Sequence, residues 1–283
     1  MRKIKKQIDE YIEYCDKVRN LSQNTINFKR WTFDNFLSYT KINDIKKLSN
    51  KDINEWMSYQ KQNGCIGSTI NVRLSQIKAL LCYYESQGVV FYKLNIKSVL
   101  KTQEMPCRIK YYSAEQIERA LECASFRVQL MIRLCYECGL RISELRNLKL
   151  DDINGRRILF IGKGAKNREV YFSEQTRKML DSFISAENIV DYLWINKRGT
   201  KVGDVMRPST IRYHMKRAFS EAGFDDFFPH ALRHSFATNI CDNGAPLPVA
   251  QKMLGHSRIT TTERYVHSFD SHIKQYFDQY SFA

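Results

Sequence analysis

Residues 157–172 read Arg157-Ile-Leu-Phe-Ile161-Gly162-Lys163-Gly164-Ala165-Lys166-Asn167-Arg168-Glu-Val-Tyr-Phe172, and the fold class turns on them. Residues 157–161 and 168–172 are rich in β-branched and aromatic side chains and alternate as strands do. The connector 162–167 carries two glycines and two lysines, so the stretch predicts a β-hairpin with a basic turn. Helical periods surround it on both sides. The expected fold is therefore mainly α with a small antiparallel β-sheet.

Upstream of the hairpin, Ser113-Ala-Glu-Gln116 is a capping box opening a second domain. Two helices follow, the second ending at Gly139, and then a short helix over 142–148. Downstream, Tyr192-Leu-Trp-Ile195 is a candidate further strand, and helical patterning resumes from Ser209 to the end. Asp151 and Asp152 are adjacent, hence not on one face, and read as a helix-end or turn feature.

The first 95 residues read as four helices. Ile4, Ile8, Tyr11, Ile12, Cys15 and Val18 recur at three and four, the spacing of an amphipathic helix. Ser22 is the expected cap of a helix carrying Ile26, Phe33, Phe36 and Leu37. Ser49 opens a third helix, with Ile53, Trp56 and Met57 inward and Gly64 as its stop. Gly67-Ser68 opens a fourth, with Ile70, Leu74, Ile77, Leu81 and Tyr84 as its stripe and Gly88 as its stop. Residues 96–111 have weak periodicity, Pro106 and several positive charges, and read as a basic linker. The expected division is thus 1–95, a basic helical domain; 96–111, the linker; and 112–283, a second domain with a tail helix.

Charge narrows the partner. The chain carries 45 Lys and Arg against 30 Asp and Glu, a formal net charge of +15. The excess is shared almost evenly by the residues before and after position 100 (+8 and +7), as suits two surfaces gripping one long polyanion. No apolar run approaches the about 18 residues of a membrane span. The basic start, Met1-Arg-Lys-Ile-Lys-Lys6, runs into Asp9, Glu10 and Glu13 without an apolar signal segment, so a soluble, cytoplasmic protein is expected. Cys135 and Cys138 form a C-x-x-C within an apolar helical run, with no second pair at zinc spacing. They read as small core residues, and neither a metal nor another cofactor is expected.

Five segments of the second half hold polar groups at structural breaks: Gly139-Leu-Arg141-Ile-Ser-Glu144-Leu, Gly162-Lys163-Gly164, Pro229-His230-Ala-Leu-Arg233-His234, Leu254-Gly255-His256 and Thr260-Thr-Thr-Glu-Arg-Tyr265. Each alone has a plain explanation as a paired surface side chain, a turn or packing. Together, and in this order, they resemble the tyrosine recombinase or phage integrase family. The resemblance is architectural over 1–95 and lies in motifs over about 110–270.

The resemblance implies a four-helix, SAM-like N-terminal bundle and an α+β catalytic domain. It also implies a catalytic set of Arg141, Lys163, His230, Arg233, His256 and Tyr265. The chemistry suits those residue types. Cleaving a phosphodiester builds charge on the nonbridging oxygens, which fixed cationic donors stabilise, and arginine forks match phosphate geometry. Arg141 and Arg233 would clamp the phosphate, His230 and His256 would add donors, and Tyr265 would attack phosphorus. Lys163 would protonate the leaving 5′-oxygen. A free tyrosine ionises near 10, so neighbouring cations are needed to favour the phenolate.

Glu144, three residues after Arg141, would hold its guanidinium. Lys166 and Arg168 would touch backbone phosphate. His234 reads as packing, His214 and His272 as ordinary histidines, and His267 stays open. The apolar stripe Ile273, Tyr276, Phe277 and Tyr280 marks a tail helix, packed on its own domain or docked into a neighbouring protomer. The implied partner is a double-stranded DNA target site, bound by a homotetramer that exchanges strands through a Holliday junction to integrate, excise or resolve DNA elements. A second recombinase or a directionality protein stays open as a further partner. Two other readings are a type IB-like topoisomerase and a non-catalytic DNA-binding descendant.

Overall fold

The structure, a computed structural model, describes residues 2–103, 110–160, 168–197 and 202–255. The chain forms two compact units, Met1–Cys107 and Arg108–Ala283.

In the first unit, α1 (Arg2–Glu13), α2 (Gln23–Thr40), α3 (Asn50–Gln62) and α4 (Gly67–Ser86) surround one core. Ser22 caps α2 by accepting from Thr25 N, and Ser49 and Asp52 cap α3 reciprocally, as those residue types predict. Ile53 and Trp56 are fully buried, Phe36 meets the Trp56 ring edge-on at 5.3 Å, and Asn35 Oδ1 accepts from Trp56 Nε1 at 3.1 Å. The expected α1 stripe holds through Cys15 but fails at Val18, which is exposed. The helix widens into a π-turn over Tyr14–Val18, and the extra residue per turn rotates Val18 off the buried face.

The first unit also extends beyond the point where sequence placed its end. Ile96 and Val99 enter its core, and Asn71 clasps the Thr102 backbone, donating to its carbonyl and accepting from its N–H at 2.8 Å each. Residues 96–103 therefore pack on α4 rather than opening a linker. On the other side, Tyr112 is buried in the second unit, its N–H donating to Ser235 Oγ at 2.7 Å.

The second unit is built on α6 (Phe126–Cys138), which packs against α5 (Ala114–Glu122), α7 (Ile142–Arg146), α8 (Glu174–Glu187), α9 (Pro208–Glu221) and α10 (His230–Asp242). A helix wrapped on so many sides must be apolar nearly all round. Leu130, Met131, Ile132, Leu134, Cys135 and Cys138 are accordingly fully buried. Burial raises both thiols far above their ordinary pKa, and no cluster of metal-ligating residues occurs among the described residues.

The sheet has three antiparallel strands in the order β1 (Ile153–Asn154), β2 (Arg157–Phe160) and β3 (Arg168–Tyr171). Ile158 faces Val170 across β2 and β3, both fully buried. β1 is an addition to the expected hairpin. Residues 192–195 form single bridges and backbone bonds, Leu193 N to Leu148 O at 3.0 Å and Met206 N to Trp194 O at 2.8 Å, and join no strand of the sheet. The last described helix is α11 (Leu247–Leu254). Among the described residues no helix is long and apolar enough to cross a membrane.

Candidate active site

Arg141 owes its place to the glycine two residues before it. Gly139 ends α6 with φ +60°, a conformation that favours glycine, and a Cβ there would meet Phe236 Cδ1 at 2.5 Å. The chain then turns into α7, with Leu140 and Leu145 buried on either side. Glu144 holds Arg141 twice: Oε2 accepts from the Arg141 N–H at 2.7 Å and Oε1 from Nη1 at 2.8 Å. The holding role expected of Glu144 thus has a geometry. The Arg141 side chain keeps 38% of its surface exposed.

His230 and Arg233 share the first turn of α10. Arg233 lies almost wholly inside the unit, donating from Nη1 to the Gly139 carbonyl at 2.6 Å and from Nη2 to the Leu254 carbonyl. Arg233 is thereby tied to the turn that positions Arg141 and to the end of α11. Partial desolvation lowers the His230 pKa, followed by the charges of Arg233, Arg141 and Arg212, against an opposing pull from Glu144. The imidazole therefore sits in a cationic field that it does not join near neutral pH. His234, expected as packing, lies edge-on to Phe228, and burial with His230 and Arg233 lowers its pKa to about 4.

Arg168 is where sequence reasoning went astray. It was expected to touch DNA phosphate, yet the structure buries it. It donates from Nη2 to Glu144 Oε2 at 2.9 Å, from Nη1 to Glu144 Oε1 at 3.3 Å, and from Nη1 to the Leu254 carbonyl at 2.9 Å, while Phe160 covers the guanidinium at 4.9 Å. The missed signal lay in the alternation itself: Arg168 and Val170 share the buried face of β3, and Glu169 and Tyr171 the exposed one. The carbonyls of Gly139 and Leu254 were also missed, because backbone acceptors leave no mark in residue type. Leu254 ends α11, where carbonyls lack helical partners, so two guanidiniums there satisfy both its lone pairs and the negative end of the helix.

Burial alone would raise the Glu144 carboxyl. Arg168, and then the backbone and side chain of Arg141, outweigh it, so its pKa is lowered and it is ionised near neutrality. Three guanidiniums thus converge around this carboxylate and the Leu254 carbonyl, an arrangement that favours an arriving anion. Lys163, Lys166, His256 and Tyr265 lie outside the described residues. His256 follows Gly255 directly in the sequence, two residues after Leu254.

A helical unit followed by a mainly α unit with a small antiparallel sheet places the chain in a class, the tyrosine recombinase fold, that its family matches and solved structural neighbours share. More particularly, the chain belongs to the phage integrase family, which residues 109–272 match; residues 8–88 match the phage integrase N-terminal SAM-like domain. The tyrosine recombinase XerD of Oceanobacillus iheyensis is 30% identical, over 96% of this chain and 97% of its own length. XerD of Rickettsia conorii is 29% identical over 95% of this chain and 96% of its own. Among solved structures, the XerH site-specific recombinase bound to palindromic difH substrate in a post-cleavage complex superposes with a TM-score of 0.75. It is 22% identical and covers 93% of this chain and 83% of its own.

Proposed function

We propose that this chain cuts and rejoins DNA through a transient 3′-phosphotyrosyl bond to Tyr265. As a member of the phage integrase family it is a site-specific DNA recombinase. The observation that carries the mechanism is the bracing of Arg141 and Arg233 around one carboxylate and one helix end. Guanidiniums fixed before substrate arrives need no reorganisation when charge builds on the phosphate oxygens.

In this mechanism Arg141 forks the scissile phosphate from the exposed side, and Arg233 adds charge from the buried layer. His230, kept neutral by partial burial and then by its cationic neighbours, donates a hydrogen bond to a phosphate oxygen, and His256 does the same. The Tyr265 phenol passes its proton to the free ring nitrogen of a neighbouring histidine, His230 or His256, as its oxygen bonds to phosphorus. The bond to the 5′-oxygen breaks, and Lys163 protonates that oxygen. The phosphotyrosyl ester conserves the energy of the broken linkage, so a DNA hydroxyl reverses the step without a nucleotide or metal. Lys166 contacts the backbone beside the break. Residues 1–95 act as the second DNA-binding element, with the connector beyond position 103 and the tail after Tyr265 serving assembly. Four protomers in the cytoplasm would pair two duplexes through a Holliday junction, with or without an accessory protein.

Covalent capture tests the reading. DNA recovered by denaturing purification of the chain from cells should carry one recurrent sequence ending 3′ at the protein, and Tyr265→Phe should recover none. A nicked suicide duplex of that sequence should then trap the wild type. DNA binding without trapping would favour a non-catalytic protein. Plasmid relaxation without junction intermediates would favour a topoisomerase.

A further inference from the structure

We infer that Arg168 is a positioning residue for the cleavage step: it shares the carboxylate of Glu144 with Arg141, keeping Arg141 available to phosphate, and ties that pair to the chain entering His256. The inference rests on the proposed roles of Arg141 and His256.

The geometry is one of divided attention. Each Glu144 oxygen serves two donors: Oε1 accepts from Arg141 Nη1 at 2.8 Å and Arg168 Nη1 at 3.3 Å, and Oε2 from the Arg141 N–H at 2.7 Å and Arg168 Nη2 at 2.9 Å. Arg168 therefore takes a fork across the carboxylate, and the Arg141 side chain is left with one oxygen. Without Arg168, the full charge of Glu144 would turn on Arg141, three residues earlier at the N-cap of α7. A carboxylate that engages both guanidinium edges competes directly with the phosphate.

The second tie runs to α11. Arg168 Nη1 donates to the Leu254 carbonyl at 2.9 Å, and a Cβ on Gly255 would lie 3.0 Å from both its Cδ and its Nη1. Gly255 has φ +63°, so the guanidinium packs against a backbone shaped for glycine, one residue before His256. One planar group thus fixes α7, β3 and the end of α11. Lysine cannot replace it, because a single ammonium cannot span two carboxylate oxygens and a carbonyl in one plane. With 7% of its side chain exposed, Arg168 acts through Glu144 and Leu254 rather than on DNA.

The test uses the full chain and the nicked suicide duplex, and reads four quantities: melting temperature, DNA affinity, the fraction of protein trapped and the single-turnover rate constant of trapping. Arg168→Lys should fold, bind DNA within about threefold of wild type and be trapped to a similar extent, but about tenfold more slowly. Arg168→Met should be slower by about 100-fold, the scale of a misplaced reacting group. Arg168→Met with Glu144→Gln should regain about tenfold over Arg168→Met alone, since the charge that quenches Arg141 is gone. A merely structural role would lower the melting temperature and the trapped fraction, leave the rate constant unchanged, and make the double variant no faster. Either that pattern or a wild-type rate for Arg168→Lys overturns the inference while the recombinase reading stands. A wild type that binds DNA but is never trapped overturns both.

Discussion

Each unit buries a cation in its interior, and the two solve the problem in different ways. In the first, Lys29 is 5% exposed and rests on neutral groups, the Gln76 Oε1 at 2.8 Å, the Tyr11 hydroxyl at 3.3 Å and the Tyr11 ring at 5.2 Å. In the second, Arg168 and Arg233 are about as buried, but hold a carboxylate and the carbonyls of Gly139 and Leu254. A lysine can escape the cost of burial by releasing its proton, and burial does lower the Lys29 pKa. An arginine stays charged at any accessible pH, so its charge must be met where it stands, as the Glu144 carboxylate meets that of Arg168. The first unit can let its buried charge fade; the second keeps a permanent field at a fixed point, which electrostatic catalysis on phosphate requires.

The largest break in this contrast should come at Arg233. Arg233→Lys keeps the charge but cannot reach the Gly139 and Leu254 carbonyls as a fork. Trapping on the suicide duplex should slow by about 100- to 1,000-fold, the scale of losing a fixed donor to a developing oxyanion. DNA binding should change far less, because many other phosphate contacts contribute to it. Single-turnover kinetics beside a filter-binding titration checks both, and equal losses in rate and affinity would contradict it. Next in size is Gly139→Ala. The added Cβ meets the Phe236 ring and φ +60° strains any L-residue, so urea unfolding of the second unit should show a loss of about 2–4 kcal/mol. An unchanged midpoint would mean that this turn is not the fixed point from which Arg141 is aimed.

The same contrast explains what the sequence could and could not say. Periodicity and caps are local, so Ile26, Phe33, Ile53, Trp56, Ile70 and Leu74 were readable as core and Ser22 and Ser49 as helix starts. Val18 was misread because a π-turn changes the period without changing the residues. In the second unit the order of motifs singled out Arg141, Glu144, His230 and Arg233 and the spacing suggested the Arg141–Glu144 pair, but nothing showed what holds Arg168 and Arg233. Arg168 reaches Glu144 across 24 residues and Leu254 across 86, and Arg233 reaches Gly139 across 94. Spacing encodes none of those pairings, and two of the three acceptor residues, Leu254 and Gly139, accept through backbone carbonyls. A charged residue beside a basic turn looks like a phosphate contact until the strand alternation is followed strictly.

The smallest expected effect is at Lys29, and its sign is informative. The folded-state pKa is lowered from the ordinary 10.5 by burial first, with Arg19 adding to the shift and Cys15 opposing it. Below the depressed value both folded and unfolded chains carry the proton, and the fold bears the full cost of a buried charge. As pH rises toward 10.5 the folded chain releases its proton first, so the unfolded state binds more protons and stability increases. Lys29→Met keeps most of the volume and removes the charge. It should stabilise the first unit at neutral pH by about 1 kcal/mol, since apolar replacements of buried charges are often neutral or favourable. The advantage should shrink as the pH approaches 10.5, and the single-turnover cleavage rate should stay within about twofold, because Lys29 is buried in the first unit and the proposed catalytic residues all belong to the second. Thermal melts at several pH values beside the trapping assay decide the matter. A large loss of stability at neutral pH would mean that the bonds to Tyr11 and Gln76 outweigh the burial of the charge, and that the first unit, like the second, is built around its buried cation.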